Sequence, residues 1–217
     1  MRRLLLCALL GPAIFMLSAA AEKSDRPPPG QLKTAALREF ETLEAPRQKL
    51  ITLALATSRE FTLHQYHFGS ADPARGGFDC SGAMFYLLRK IGLRPTRSSA
   101  AQYEWLKREG TLHRVPPEAT SFDDAAFDSL KPGDLIFWSG TYVPTDGRKN
   151  KVTHVQMYLG HEMSDGRRVM VGSTDGRSYR GTARCGYGVF DLKFPRPTSK
   201  ARIVGYGTPP GLRPVTK

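Results

Sequence analysis

The chain has 217 residues, and its 32 lysines and arginines against 20 acidic residues give a formal net charge of +12. A hydrophobic fraction of 40% excludes a mainly disordered chain, and the length predicts one domain with a packed core. With 3 cysteines the chain is not a disulfide-stapled scaffold. The positive charge makes nucleic-acid binding a hypothesis to be tested.

The first 21 residues, MRRLLLCALLGPAIFMLSAAA, place Arg2 and Arg3 before an apolar run that ends in small residues. This order is typical of a cleaved secretory signal peptide. A membrane anchor would need about 20 apolar residues, and Pro12 interrupts this shorter run. We therefore expect export to the periplasm, the cell wall or the outside of the cell. Loss of the two arginines takes the net charge from +12 to +10, and no segment is expected to span a membrane.

The mature chain is expected to start with a linker at 22–32, which is charged and then rich in proline, followed by a single domain at 33–217. Apolar residues at helical spacing predict four helices, the third capped by Asp79 and stopped by Gly92. These helices are expected at 33–44, from Pro46 onward, from Cys80 to Ile91, and from Ser98 or Ser99 to Arg108.

Short runs rich in β-branched and aromatic residues follow the helices and are separated by glycine, proline and aspartate. Helices followed by strands are typical of an α+β fold, here with helices packed on an antiparallel sheet of about five strands. Two stretches, 111–129 and 140–151, are expected to be loops, and whether they gate a cleft stays open. The strand-like runs are 134–138, 153–160, 167–173, 187–194 and 201–207.

The segment Gly77-Phe78-Asp79-Cys80-Ser81-Gly82 puts a cysteine at the start of the third helix. A helix N-terminus carries partial positive charge and unpaired N–H groups, which favour a thiolate and can hold an oxyanion. Cys80 is therefore a candidate nucleophile for acyl transfer, with a small buried core cysteine as the alternative. A disulfide with Cys185 would silence it, and the sequence leaves that pairing open.

His154 begins the strand-like run 153–160 directly after a loop, so it is the best placed of the five histidines to act as a general base. A nucleophile and a base supplied by separate elements are a recurring catalytic arrangement. His64 and His67 lie at helical spacing without further ligands, so no metal site is predicted and no cofactor is indicated.

Five ordered segments, spread over about residues 47–207, resemble the NlpC family of papain-like cysteine peptidases. The resemblance implies a papain-like fold and hydrolysis of an amide bond in the peptide stem of bacterial peptidoglycan, commonly between D-glutamate and a diamino acid. It implies that Cys80 attacks the carbonyl, and that His154 takes its proton and delivers it to the leaving amine. The five segments are Tyr66-His67-Phe68-Gly69, GGFDCSG, RSSAAQ at 97–102, LKPGDLIF at 130–137 and THVQMYLG at 153–160.

The same resemblance implies a substrate site lined by Tyr66, Asp79 and Ser81. In such enzymes the polar residues on either side of the nucleophile resemble a recognition pair for the free amine and polar groups of the stem peptide. Asp79 is also expected to cap the helix, and Ser81 to lie in its first turn. Both roles are compatible.

The chain departs from the family pattern at a third polar residue, often His, Asn or Gln, which orients the imidazole from the following strand. The expected position falls near Val171 or Gly172, and neither side chain can hydrogen-bond. Ser173 is the residue predicted for this role. Thr174, Asp175, a backbone carbonyl or a water are the alternatives, as is reduced activity.

Two other kinds of function remain open. One is a different hydrolase on the same fold, either an amidase that cuts between glycan and peptide or an enzyme acting on another acyl substrate. The other is a catalytically inactive wall-binding module. Specific nucleic-acid binding is disfavoured, because the basic residues are scattered among 20 acidic ones and form no known binding motif. The positive charge suits an anionic cell envelope. The expected partner is the peptidoglycan stem peptide.

Overall fold

The computed structural model describes residues 29–61 and 65–212. The signal peptide predicted at 1–21 and most of the linker predicted at 22–32 lie outside these ranges. Within the described residues, no helix combines the length and the apolar character needed to cross a membrane.

Three of the four predicted helices are confirmed, with ends set by the residues expected to set them. Pro46 lies in the first turn of α1, Asp79 caps α2 by accepting a hydrogen bond from the amide of Gly82, and Ser98 caps α3. Gly92, with a φ of +93°, follows the end of α2. The three helices are α1 (Ala45–Glu60), α2 (Cys80–Lys90) and α3 (Ser99–Arg108).

The helix predicted at 33–44 is wrong, because the structure has two 3-10 turns there, Thr34–Ala36 and Phe40–Thr42. Leu37 between them has an extended backbone and forms an antiparallel bridge with Glu162. The backbone of this segment therefore pairs with the end of a distant strand, which no local spacing of apolar residues could show.

The strands of the described residues form a small sheet of order β1-β3-β2 and a larger antiparallel sheet of order β4-β9-β5-β6-β7-β8. The α+β class is confirmed, with six strands rather than five in the larger sheet because β4 lies in the stretch expected to be a loop, 111–129. The small sheet contains β1 (Gln65–Tyr66), β2 (Ala71–Asp72) and β3 (Gly77–Phe78), and the larger one contains β4 (Leu112–Arg114), β5 (Leu135–Ser139), β6 (Val152–His161), β7 (Arg168–Tyr179), β8 (Thr182–Asp191) and β9 (Arg202–Gly207).

The larger sheet is covered on both faces, so its central strands β5 and β6 are buried over almost their whole length. The helices pack on one face, where Val155 and Met157 of β6 join a core with Met84 and Leu87 of α2. The chain between β4 and β5 covers the other face through Phe127 and its neighbours. The stretch 111–129 thus supplies an edge strand and a cover for the sheet.

A buried ion pair ties α1 to the start of β5. Arg47 donates hydrogen bonds to Oδ1 of Asp134 at 2.9 Å and to the carbonyl oxygen of Pro132 at 2.6 Å. Thr208 completes the group by accepting from Arg47 and donating to Asp134. Because every charge is paired and hydrogen-bonded, the desolvation cost of burying these groups is offset.

Candidate active site

Cys80 is the first residue of α2, and the small sheet holds the chain that leads to it. Tyr66 of β1 pairs with Phe78 of β3, two residues before Cys80. Gly82 fits against the loop at Ser70, because a Cβ on Gly82 would lie 2.0 Å from the Ser70 carbonyl oxygen. Gly82, two residues after the cysteine, therefore allows the start of the helix to pack closely against this loop.

The thiol of Cys80 is surrounded by donors. Hydrogen bonding from the backbone amides of Ser81 and Val155 and from the hydroxyl of Tyr66 acts to lower the pKa of this thiol. Burial and, next, the negative charge of Asp79 nonetheless raise the pKa of Cys80 to about 11. The expectation that the helix start favours a thiolate is therefore wrong for the resting protein, because desolvation outweighs the amide donors.

His154 lies near the start of β6, where its side chain is 7% exposed and packs beside Trp138, with ring centroids 5.6 Å apart. Burial, with a smaller effect from the charge of Arg177, lowers the pKa of His154 to about 3. The imidazole is therefore neutral at physiological pH. A neutral imidazole has a lone pair with which it can accept a proton.

Gln156 is the hydrogen-bond partner that the structure gives to this imidazole. Its Nε2 lies 3.1 Å from Nε2 of His154, and the whole residue is buried. The two side chains share a face because residues two apart on a strand point the same way. Gly172 leaves room for Gln156, since a Cβ there would lie 3.0 Å from Cγ of Gln156.

Ser173, predicted to orient the imidazole, has a different partner. Its fully buried hydroxyl donates a 2.6 Å hydrogen bond to the carbonyl oxygen of Phe78. A hydroxyl has a single proton, so the donor of Ser173 is committed to the segment that leads to Cys80. Gln156 was not predicted, because the family resemblance implies an orienting residue on the following strand, although strand alternation from His154 points to Gln156.

Asp79 and Ser81 are held together by Arg97, a residue of the RSSAAQ segment whose role the sequence did not suggest. Arg97 donates to both carboxylate oxygens of Asp79, at 3.1 and 2.8 Å, and to the hydroxyl of Ser81 at 3.1 Å. Asp79 also accepts from the amide of Gly82 at 2.5 Å. Its expected role as a helix cap is confirmed, and its charge is already balanced.

The cleft has two adjoining cavities, here called the Cys80 cavity, of 270 Å³, and the His154 cavity, of 520 Å³. Cys80, Asp79, Ser81 and Arg97 line the first, and His154 lines the second. The two share a wall made by Tyr66, Phe68, Tyr142 and Thr153.

Loop 140–151 contributes to this cleft, unlike the stretch 111–129. Tyr142 packs edge to face against Phe68, with ring centroids 6.4 Å apart, where the two cavities meet. Phe68 is 74% exposed. Two aromatic side chains on opposite loops therefore lie at the mouth of the cleft.

The remaining candidate residues are Cys185, His64 and His67. Cys80 and Cys185 are both free thiols in this structure. His67 is exposed, and His64 lies outside the described residues. Among the residues that the structure describes, no cluster of three potential metal ligands occurs.

The fold and the site are those of an α+β protein with a thiol at a helix start and an imidazole on the strand packed against that helix. The chain belongs to the NlpC/P60 family, whose model matches residues 64–180.

One curated relative and two solved structures illustrate this relationship. Gamma-DL-glutamyl hydrolase of Bacillus subtilis (strain 168) is 31% identical over 96 residues, which are 44% of this chain and 18% of that protein. A protein from Staphylococcus aureus subsp. aureus Mu50, described as similar to a lipoprotein of the NLP/P60 family, is 24% identical with a TM-score of 0.39, over 74% of this chain and 38% of its own. The peptidoglycan hydrolase RipB of Mycobacterium tuberculosis is 19% identical with a TM-score of 0.40, over 77% of this chain and 69% of its own. The chain thus spans less than a fifth of the curated relative.

Proposed function

We propose that this protein is an exported cysteine endopeptidase that hydrolyses an amide bond in the stem peptide of bacterial peptidoglycan, the bond between D-glutamate and a diamino acid. The observation that carries the proposal is the position of Cys80. Its thiol lies at the N-terminus of α2, among two backbone amides and the hydroxyl of Tyr66, next to the strand that bears His154.

Cys80 and His154 have the roles of nucleophile and base in this proposal. As the sulfur attacks the substrate carbonyl, a carbon–sulfur bond forms and the thiol proton moves to the imidazole. The donors beside the thiol, the amide of Ser81 and the hydroxyl of Tyr66, are positioned to stabilise the oxyanion. The protonated imidazole then gives its proton to the leaving amine as the carbon–nitrogen bond breaks, which leaves a thioester on Cys80. Water hydrolyses this thioester, releasing the carboxylic acid and restoring the thiol.

The resting site contains a neutral thiol and a neutral imidazole, since the pKa of Cys80 is raised to about 11 and that of His154 lowered to about 3. The thiol proton therefore has to leave during the attack rather than before it. This is general-base catalysis, in contrast to attack by a preformed thiolate. The structure gives the imidazole a hydrogen bond to Gln156, and catalytic hydrogen bonds often tighten only when substrate binds.

Gln156 is the positioning residue for His154 in this proposal. Because Nε2 of His154 faces Gln156, the other ring nitrogen, Nδ1, is the one left to accept the thiol proton. That tautomer carries its proton on Nε2, so Gln156 has to present its amide oxygen. The oxygen and nitrogen of a glutamine side chain are assigned from the hydrogen-bond network, and exchanging them satisfies this requirement.

Tyr66, Asp79 and Ser81 are proposed to line the substrate site on the Cys80 side of the cleft. The amine of a stem peptide has to approach a carboxylate that Arg97 and the helix already engage. We therefore assign Asp79 a shared role. It holds the helix start and Arg97, while its Oδ2 accepts a hydrogen bond from the amine of the substrate. The Bacillus subtilis relative is named as a gamma-DL-glutamyl hydrolase, and this similarity supports cleavage of a glutamyl bond.

Export through the predicted signal peptide at 1–21 would place the protein where its proposed substrate is found. The remaining charge of +10 suits an anionic cell envelope.

The test is incubation of the mature protein with purified stem peptides and with intact peptidoglycan, followed by mass spectrometry of the products. We expect a cut between D-glutamate and the diamino acid with the glycan–peptide bond intact. Cys80→Ala should abolish turnover, and the matched variant Cys185→Ser should retain it. Release of the whole peptide from the glycan would instead establish the amidase alternative. Absence of any product would support an inactive module.

A further inference from the structure

Arg177 on β7 lies at the wall of the His154 cavity. Its guanidinium carbon lies 4.8 Å from the centre of the Trp138 ring, and the residue is half-buried. Within residues 29–61 and 65–212, the guanidinium of Arg177 forms no ion pair and donates no side-chain hydrogen bond. Burial lowers its pKa to about 10, as expected for a cation that has lost water without gaining a counterion.

The other basic groups of the cleft are paired. Arg97 is bound to Asp79 and Arg148 to Asp146, while Lys193 of the His154 cavity lies 3.4 Å from Asp191. A half-buried guanidinium on an aromatic ring is preorganised, because the ring fixes its plane and leaves its N–H edge available. That edge matches a carboxylate, which guanidinium groups bind through two parallel hydrogen bonds.

The position of Arg177 relative to His154 indicates which part of a substrate it meets. The imidazole delivers a proton to the leaving amine, so the residue that departs has to lie on the imidazole side of the scissile bond. The His154 cavity is therefore the leaving-group side of the cleft. The charge of Arg177 is close enough to lower the pKa of His154, which places the two groups in one electrostatic environment.

We propose that Arg177 binds a carboxylate of the leaving residue, and so selects stem peptides whose diamino acid carries a free carboxylate over peptides in which that group is amidated or extended. This inference rests on the proposed function and narrows its substrate class. Loss of the charge-assisted, bidentate contact between Arg177 and this carboxylate is expected to reduce discrimination between free and amidated peptides about tenfold or more.

The experiment compares two peptides, L-alanyl-γ-D-glutamyl-L-lysine with a free C-terminal carboxylate and the same peptide ending in lysinamide. For the mature enzyme, kcat/KM should be about tenfold or more higher on the free acid, with the difference mainly in KM. Arg177→Gln should bring the ratio of the two values close to one, and Arg177→Lys should leave an intermediate ratio because a point charge remains. Arg108→Gln, an exposed position on α3, removes the same charge outside the cleft and should keep the full ratio.

A second measurement does not depend on turnover. Calorimetric titration of the Cys80→Ala protein with the two peptides should show tighter binding of the free acid. This preference should be lost when Arg177→Gln is combined with Cys80→Ala. If neither peptide is cleaved but this preference is found, the proposed function fails while the carboxylate site stands. An equal ratio for wild type and Arg177→Gln in both measurements would overturn the assignment. Circular dichroism checks that each variant is folded.

Discussion

Gln156 on β6 and Gly172 on β7 fit against each other, with a Cβ on Gly172 expected 3.0 Å from Cγ of Gln156. The polar residue that the family resemblance implies falls near Val171 or Gly172 on the second of these strands, and neither side chain can hydrogen-bond. The polar side chain comes instead from the strand of His154 itself. The space left by one residue is filled by the other, and the imidazole keeps a polar neighbour.

Gln156→Ala is therefore predicted to lower kcat by about tenfold or more with little change in KM. Gln156 is buried and does not contact substrate, so its loss affects only the orientation of His154, the base. Steady-state kinetics on a stem peptide checks this split. Gln156→Glu should move the acidic limb of the kcat profile to higher pH, because a carboxylate stabilises the protonated imidazole. A larger kcat loss in Ser173→Ala than in Gln156→Ala would return the orienting role to Ser173.

The thiol of Cys80 is predicted to react slowly at neutral pH. With a pKa of about 11, its rate of alkylation by iodoacetamide should rise about tenfold per pH unit from pH 7 to beyond pH 9. Mass spectrometry of the Cys80 peptide follows the reaction without interference from Cys185. Asp79→Asn should speed alkylation at pH 8 by removing the nearby negative charge. A rate that levels off near pH 7 would contradict this prediction.

Local signals predicted α2 and its cysteine well. Asp79, Cys80 and Gly92 act within one turn of the helix ends that they set, so a single stretch of sequence contains the whole cause. The same holds for β6, whose apolar run and whose His154, near its start, lie together in the chain.

Features that depend on distant partners escaped prediction. The backbone at Leu37 pairs with Glu162, which turned a predicted helix into two 3-10 turns. β4 is three residues long and exists because β9 pairs with it. The raised pKa of Cys80 follows from burial first, which a helix-start motif does not reveal.

The buried imidazole of His154 should make stability depend on pH. The pKa of His154 in the folded protein, about 3, is depressed below the ordinary histidine value of 6.5, so the unfolded chain binds one more proton between these values. Stability is therefore fully present above about pH 6.5 and falls as the pH decreases toward 3, by at most about 1.4 kcal/mol per pH unit. Urea unfolding at pH 7, 6 and 5 should show a shallower loss in His154→Gln than in wild type. Equal slopes in the two proteins would contradict the depressed pKa.

Asp134→Ala is predicted to be among the most destabilising single changes, because it leaves the buried guanidinium of Arg47 with only the more exposed carboxylate of Glu44, 3.6 Å from its Nε, as a counterion. The expected loss is about 3 to 5 kcal/mol in the free energy of unfolding, measured by urea denaturation. Asp123→Ala is the matched control, since Asp123 pairs with Arg168 at the surface and its removal should change stability little. Arg47→Met combined with Asp134→Leu should recover much of the loss, because neither charge then remains buried alone. A double variant as unstable as Asp134→Ala would show that the lost stability comes from packing rather than from the unpaired charge.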